Sequence, residues 1–260
     1  MSNMNFVGNT DLAELSLWAF FLFFIGLVYY LRREDHREGY PMEDDATGLI
    51  DRPGILDRAP KVYLLPHGLG VELMPDGQRD PVQIPGARRT APWSGSPIEP
   101  TGNPLIDGVG PAAWANRKDR PDLGNHGRPR LTPMRLLPGY SVASRDPDPR
   151  GMPMVGCDGN AAGIVTDIWI DQSENIVRYV ETELDGSGRH VMTPMTMVTI
   201  DRGRGARGVV NTNTITAAQF HDVPGIADPD RITMLEEDKV MGYHGGGYLY
   251  ATPARQEPLL

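Results

Sequence analysis

Residues 15–31 read LSLWAFFLFFIGLVYYL, a run of 17 residues without a charged side chain. At about 1.5 Å per residue a helix of this length measures about 25 Å, slightly less than the ~30 Å hydrocarbon core of a bilayer. Extending the helix back to Leu12 completes the span, and Tyr29 and Tyr30 lie at its far end, where interfacial aromatic residues are common. The sequence therefore predicts a transmembrane helix over residues 12–33.

Two other interpretations of this run are weaker. A secretory signal peptide has a basic start and a small-residue cleavage site, whereas residues 1–31 contain neither Lys nor Arg and no such site. A buried core helix is usually shorter than this. The span also contains no histidine, so it offers no axial imidazole to a haem or a magnesium porphyrin, and we expect it to hold no pigment.

The charges on either side of the span predict its orientation. Asp11 and Glu14 precede the apolar run, whereas Arg32, Arg33 and Arg37 follow it directly. Because positive charge is retained on the cytoplasmic side, we expect residues 1–11 to form a periplasmic tail and the chain from residue 34 onward to be cytoplasmic.

Composition and motifs exclude several classes of function. The net charge of −9, from 25 basic and 34 acidic side chains, argues against a general nucleic-acid binder. Cys157 is the single cysteine, which excludes an internal disulfide and a cysteine-based zinc site. The sequence contains no nucleophile elbow, HExxH motif, phosphate-binding loop or Rossmann fingerprint, so we expect no enzymatic activity.

Residues 34–134 are predicted to be extended and rich in turns. Residues 41–150 hold 18 of the 24 prolines and 13 of the 30 glycines, a density typical of disorder. However, the same stretch contains Trp93, Trp114 and the apolar residues 62–65, which a solvated linker does not need. We expect an ordered segment that lies on a partner's surface, with a plain linker as the open alternative.

A periodicity of two predicts a β domain over residues 135–250. Strands are expected at residues 164–170, 176–184, 189–192 and 196–200, with tight turns between them. A short helix is expected over residues 235–243, followed by Gly245, Gly246 and Gly247 as a flexible turn, and residues 251–260 form a C-terminal tail. The predicted fold class is a single transmembrane α-helix plus a mainly β cytoplasmic domain, a small barrel with a short C-terminal helix.

Titratable groups in loops are the remaining candidates for chemistry. Asp171, Glu174 and Arg178 lie in one predicted hairpin, and His126 lies in the loop GNHGR. In isolation such groups form surface ion pairs that contribute little. Beside a membrane-embedded redox site they could instead relay protons.

Several motifs together resemble a known family. They are RREDHREGYP at residues 32–41, LPHG at 65–68, TGNP at 101–104, DGVGPAAW at 107–114, VTDIWID at 165–171 and LEEDK at 235–239. Their order, across nearly the whole chain, resembles the H subunit of the purple-bacterial photosynthetic reaction centre, a family whose cytoplasmic part is a PRC-barrel.

The resemblance implies a pigment-free subunit of a light-driven electron-transfer complex, without an active site of its own, in the bacterial inner (intracytoplasmic photosynthetic) membrane. Such a subunit caps the L and M subunits on the cytoplasmic side, stabilises the secondary-quinone region and carries protons toward the reduced quinone. Bacteriochlorophyll, bacteriopheophytin, quinones and non-haem iron are then expected on L and M. Antenna polypeptides, a cytochrome subunit and membrane lipids are further partners that the resemblance allows.

The resemblance also implies roles for individual residues. Asp171, Glu174 and Arg178 match the family's inner acidic residues and their arginine neighbour, and His126 matches one imidazole of its surface proton-uptake cluster. The aspartate and the second imidazole of that cluster are replaced here by Gly124 and Arg128, which leaves Asp122 as another acid for proton uptake. Arg32 and Arg33 match positions that contact anionic lipid headgroups.

Two rival functions stay open at this stage. One is a membrane-tethered PRC-barrel adaptor or scaffold unrelated to photosynthesis, which would leave the membrane colourless and without L and M. The other is a membrane-anchored hydrolase, which would turn over a substrate when its soluble part is expressed alone.

Overall fold

The structure, a computed structural model, describes residues 11–40, 42–44, 47, 49, 54–56, 58–76, 85–93, 95–203 and 208–256. Most of the predicted periplasmic tail, the end of the C-terminal tail and residues 204–207 therefore lie outside the described residues. The chain divides into two compact units, one of Met1–Val82 with Thr90–Pro97 and one of Gln83–Arg89 with Ile98–Leu260.

The first unit is built on helix α1, Leu12–Asp35. Asp11 caps the helix by accepting a 2.8 Å hydrogen bond from the Glu14 amide. The helix has 24 residues, or about 36 Å, and none of its side chains is buried within the chain. By length and composition it can cross a membrane, as the sequence predicts.

A short β-hairpin belongs to the same unit. Strand β1, Lys61–Leu64, pairs antiparallel with β2, Val71–Met74. The described part of this unit also includes a 3₁₀ turn, Gly54–Leu56, whose Ile55 carbonyl accepts a 3.3 Å hydrogen bond from the hydroxyl of Tyr29 on α1.

The second unit contains a seven-stranded sheet. Its order is β10-β11-β6-β7-β8-β9, with β5 paired to β7, and all of the pairings except β6 with β11 are antiparallel. The strands are β5 Leu131–Pro133, β6 Pro153–Val155, β7 Ala161–Asp171, β8 Ile176–Leu184, β9 His190–Pro194, β10 Val198–Asp201 and β11 Val209–Thr212. The 11 residues of β7 make it long enough to pair with β8 on one side and with β6 and β5 in turn on the other.

Shorter elements lead into this sheet and connect its strands. A two-stranded ribbon of β3 Ala87–Arg89 and β4 Ile98–Pro100 precedes the short helix α2, Pro104–Asp107. The 3₁₀ turns are Gly110–Ala112, Met134–Leu136, Met195–Met197, Ala218–Asp222 and Pro253–Arg255.

Helix α3, Met234–Tyr250, joins the two main apolar clusters of the unit. Tyr243 packs with Val165, Val180 and Phe220 in the larger cluster. On the same helix, Val240 packs in the second cluster, the one that contains Trp169, Tyr179, Met192 and Ile232. The helix is therefore an integral part of the core.

These elements confirm the predicted fold class and correct one part of it. The strand expected at residues 176–184 is β8, and the other predicted strands shift by up to three residues. The prediction that Gly245, Gly246 and Gly247 form a flexible turn is wrong, because α3 continues through them to Tyr250. At Gly246 and Gly247 the missing side chain allows close packing instead: a Cβ on Gly246 would lie 2.5 Å from the Ala112 Cβ.

Buried His244 on α3 forms a hydrogen bond with the edge strand β9. Its Nε2 donates a 3.1 Å hydrogen bond to the carbonyl of Met192 on β9, and its Nδ1 accepts a 2.9 Å hydrogen bond from the Thr214 hydroxyl. A carbonyl can only accept, so this imidazole carries its hydrogen on Nε2. Burial lowers the pKa of His244 to about 4, and the ring is neutral at physiological pH.

We predict that His244 makes the folded chain acid-sensitive. Because its pKa is lower in the folded chain, about 4 against an ordinary 6.5, the unfolded state gains a proton first as the pH falls. Between pH 6.5 and 4 the free energy of unfolding should therefore drop by about 3 kcal/mol more in the wild type than in His244→Gln. Denaturant unfolding of the full chain in detergent measures this, with the exposed His221→Gln as control; equal pH slopes for wild type and His244→Gln would contradict it.

Two neighbouring glycines of α3 provide a second test. In Gly246→Ala the new methyl meets Ala112, and we expect a loss of about 1–3 kcal/mol of stability from overpacking. In Gly245→Ala the nearest atom is the Pro111 carbonyl oxygen at 3.4 Å, so the change should be neutral or should gain up to about 1 kcal/mol from helix propensity. Thermal unfolding of both variants checks the difference, and equal effects would show that the glycine face is not closely packed.

Candidate functional site

Arg130 is the centre of the candidate site. It immediately precedes β5, and its carbonyl accepts a 3.0 Å hydrogen bond from the amide of Gln172, just after β7. This pairing places its guanidinium beside the β7–β8 turn, where it bonds Asp171 at 2.7 Å and Glu174 at 2.7 Å. Asp122 lies 3.5 Å from the same guanidinium. One cation therefore faces three carboxylates.

Asp171 is buried and fully bonded within this cluster. Its Oδ1 accepts hydrogen bonds from the amides of Ser173, at 2.9 Å, and Glu174, at 3.2 Å, while its Oδ2 accepts from Arg130. Burial alone would raise the pKa of Asp171, but the hydrogen bonds from Arg130 and the two amides lower it below its ordinary value. Asp171 is therefore an ionised anchor at neutral pH.

Glu174 and Arg178 are more accessible than Asp171. The Glu174 side chain is 53% exposed and bonds the Arg130 guanidinium. Arg178, on β8, has its Nε 3.9 Å from Asp171 and is also half-exposed. The structure thus brings together the three residues that the sequence places in one hairpin, but Arg130, which links them, was not predicted.

His126 lies in a turn next to this cluster. The turn is closed by a 2.9 Å hydrogen bond from the Gly127 amide to the Gly124 carbonyl. His126 and Arg130 line one cavity of about 270 Å³, large enough for several waters. Arg128 lines the same cavity.

At the far end of α1 the predicted lipid contacts lie next to an unpredicted ion-pair cluster. Arg32 is exposed, with its Nη1 3.8 Å from Asp35, and Arg33 is half-buried. Glu34 follows these arginines and forms ion pairs with three cationic side chains. They are Arg37 at 2.7 Å, Lys61 at 2.8 Å and Arg58. Sequence reasoning named the arginines but missed the carboxylate that ties the hairpin to the helix.

A second buried ionic network links three strands of the sheet. The Nη1 of Arg135 bonds Asp167 at 3.1 Å and Glu181 at 2.9 Å, and the indole of Trp169 donates to Glu181 at 2.8 Å. His190 bonds the other oxygen of Glu181 at 2.7 Å. Because both carboxylates are saturated with donors, the network holds β7, β8 and β9 together. No feature of the sequence indicated it.

Metal binding finds no support in the described part of the chain. There, no group of three or more His, Cys, Asp or Glu side chains is placed to hold a metal ion.

Comparisons with known families agree with the motifs. The chain matches the photosynthetic reaction centre H-chain N-terminal region over residues 4–136 and the PRC-barrel domain over residues 141–212. The H-chain family is a non-catalytic subunit that associates with L and M subunits in a complex with pigments and quinones. Since the first match covers just over half of the 260 residues, the resemblance is confirmed, and the chain is a membrane protein that belongs to the photosynthetic reaction centre H-chain family.

Proposed function

We propose that this chain is the pigment-free H subunit that caps the L and M subunits on the cytoplasmic side of a reaction centre. It stabilises the secondary-quinone region, helps deliver protons to the reduced quinone, and has no active site of its own. Bacteriochlorophyll, bacteriopheophytin, quinones and non-haem iron are then held by L and M. Antenna polypeptides and a cytochrome subunit complete the set of proposed partners.

The observation that carries the capping function is the exposed aliphatic face of the hairpin of β1 and β2. Val62 pairs with Leu73 and Leu64 with Val71, so these four aliphatic side chains share one face. They are 68%, 47%, 84% and 59% exposed, respectively. A two-stranded hairpin is only marginally stable in water. Such a face is expected to pack on a partner, and the family supplies L and M as that partner.

The proposed orientation places the N-terminus in the periplasm and the second unit in the cytoplasm. Arg32, Arg33 and Arg37 at the end of α1 support this arrangement, because cationic residues are retained on the cytoplasmic side. At the cytoplasmic end of α1, level with the lipid headgroups, Arg32 and Arg33 can bind the phosphates of anionic lipids. Arg37, by contrast, is already paired with Glu34.

The proton-delivering function rests on the cluster around Arg130. A quinone that receives two electrons also takes up two protons. Half-exposed Glu174 is accessible to water, and the imidazole of His126, a group able to carry a proton, lines one cavity with the same guanidinium. Asp171 and Arg130 remain charged and keep Glu174 in place. We assign Arg178 an electrostatic role, because a guanidinium does not release its proton.

For capping, we predict that the double substitution Val62→Lys with Leu73→Lys separates the chain from its partners. Two charges on the buried side of an interface should lower the yield of co-purified L and M about tenfold or more. Affinity purification from detergent-solubilised membranes, read by near-infrared absorption, measures the pigment recovered.

The matched control is Ile164→Lys on β7, which is also exposed but lies in the other unit. A hairpin variant that still brings the full pigment spectrum with it would contradict docking through this face. A wild-type chain that leaves the membrane colourless and without L and M would overturn the whole proposal.

For proton delivery, we predict that Glu174→Gln slows the second, protonation-coupled electron transfer to the secondary quinone. The change removes the titratable proton and keeps the size of the side chain. We expect a slowing of about tenfold, less than the loss of a sole proton donor, because His126 remains. Flash spectroscopy of the intact complex resolves the two transfers, and the first should be little affected. Unchanged kinetics across pH would reduce Glu174 to a surface ion pair.

A further inference from the structure

We propose that Glu237 on α3 is a proton carrier of this chain, serving the proton delivery proposed above. In its protonated form the carboxyl group gives its proton to water in an adjoining cavity and becomes a carboxylate. A proton from the solvent side then restores the acid. The inference rests on the proposed function, and four observations carry it.

The first observation is the position of Glu237 on the helix. Its neighbour Glu236 completes a capping box with Thr233, whose hydroxyl accepts from the Glu236 amide at 3.1 Å. Glu237 takes no part in that cap. It lies three residues before buried Val240 and seven before buried His244, so it projects from the face of α3 that packs on the sheet.

The second observation is its hydrogen bond. The hydroxyl of Tyr179, on β8, lies 3.2 Å from the Glu237 Oε2. Burial raises the pKa of Tyr179, and the nearby negative charge of Glu237 raises it further, so the phenol keeps its proton. Tyr179 is therefore a permanent donor that positions the carboxyl group without competing for its proton.

The third observation is the space beside the carboxyl group. Glu237 lines a cavity of about 390 Å³ that also contains Arg130, Arg178 and Asp122 in its wall. At about 30 Å³ of liquid volume each, several waters fit there. Arg130 lines both this cavity and that of His126, so the two share one wall.

The fourth observation is the charge around Glu237, which differs from that around Asp171. The charged and titratable groups that line its cavity are Tyr179 and Arg178 on β8, Asp238 on α3, and Arg117, Asp122 and Arg130 from the segment that precedes β5. Asp238 forms an ion pair with Arg117 at 2.9 Å and accepts a 2.8 Å hydrogen bond from the Ala115 amide. No ion pair of Glu237 itself is found among the described residues.

The balance of these effects favours proton exchange at Glu237. Burial raises its pKa above the ordinary value, and the negative charge of Asp122 adds to this, while Tyr179, Arg178 and Arg130 oppose it. A raised pKa brings a carboxylic acid closer to the neutral range in which proton carriers work. Asp171, whose pKa is lowered, cannot serve in this way.

The test uses the intact reaction centre complex and the second electron transfer to the secondary quinone, measured across pH. Glu237→Gln should slow this transfer about tenfold and remove one inflection from its pH profile, while the first transfer stays unchanged. Exposed Glu183→Gln on β8, which makes the same change in net charge, is the matched control and should behave as wild type.

A second variant separates a proton carrier from a structural anchor. Tyr179→Phe removes the hydrogen bond that lowers the pKa of Glu237 but leaves the acid in place, so it should shift the inflection to higher pH without abolishing it. An anchor predicts no such shift. An unshifted profile in Tyr179→Phe overturns the proposal even where Glu237→Gln fails to assemble.

Different outcomes would contradict the role of Glu237 and proton delivery by the chain as a whole. If Glu237→Gln matches wild type in rate and pH profile while Glu174→Gln is slowed, Glu237 is not a carrier and the proton-delivering function stands. If both glutamine variants match wild type at every pH, proton delivery by this chain is itself wrong.

Discussion

The arrangement of the second unit depends on one face of α3, which carries Gly242, Gly246 and Gly247 and therefore has no side chains. A Cβ on Gly242 would lie 2.8 Å from the Ala112 carbonyl oxygen, and one on Gly247 would lie 2.7 Å from the Thr214 carbonyl carbon. Backbone thus packs directly on backbone, both toward the segment before the sheet and toward the segment that follows β11. Because this approach fixes the helix, it also places His244 against the edge of β9 and Glu237 over Tyr179. One packing constraint therefore sets both the contact of α3 with β9 and the geometry of the proposed proton carrier.

The buried carboxylates of this unit divide into two kinds by the donors they receive. Asp171 and Glu181 each accept at least three hydrogen bonds from fixed groups, including an arginine, and such carboxylates hold elements together. Among the described residues, Glu237 receives one side-chain hydrogen bond, from the Tyr179 phenol, and it borders a cavity. Burial dominates where donors are few, and that difference separates an anchor from a group able to exchange protons.

Local patterns in the sequence predicted four of the strands well, because β8 is rich in β-branched and aromatic residues and the turns on either side of it carry Gly, Asn and Asp. The glycine triplet was misread because a turn and a closely packed helix both require small residues, and only the partner at Ala112 decides between them.

Arg130 was missed because it lies 41 residues from Asp171 in the chain. Glu237 did leave a signal: it shares the helical face of Val240 and His244, where an acid is unexpected. The family match could not supply it, since the barrel match ends at residue 212.

The two units differ in what they can do without partners. The first unit has an apolar helix with no buried side chain and a hairpin with an exposed aliphatic face, so its described surfaces are completed only by lipid and protein neighbours. The second unit has its own core around Trp169, Phe220 and Tyr243 and keeps its titratable groups at fixed distances. Proton transfer requires such fixed distances, because donors and acceptors must stay within hydrogen-bond reach of ordered water. The second unit meets that requirement, because its core positions both the β7–β8 turn that carries Glu174 and the helix that carries Glu237.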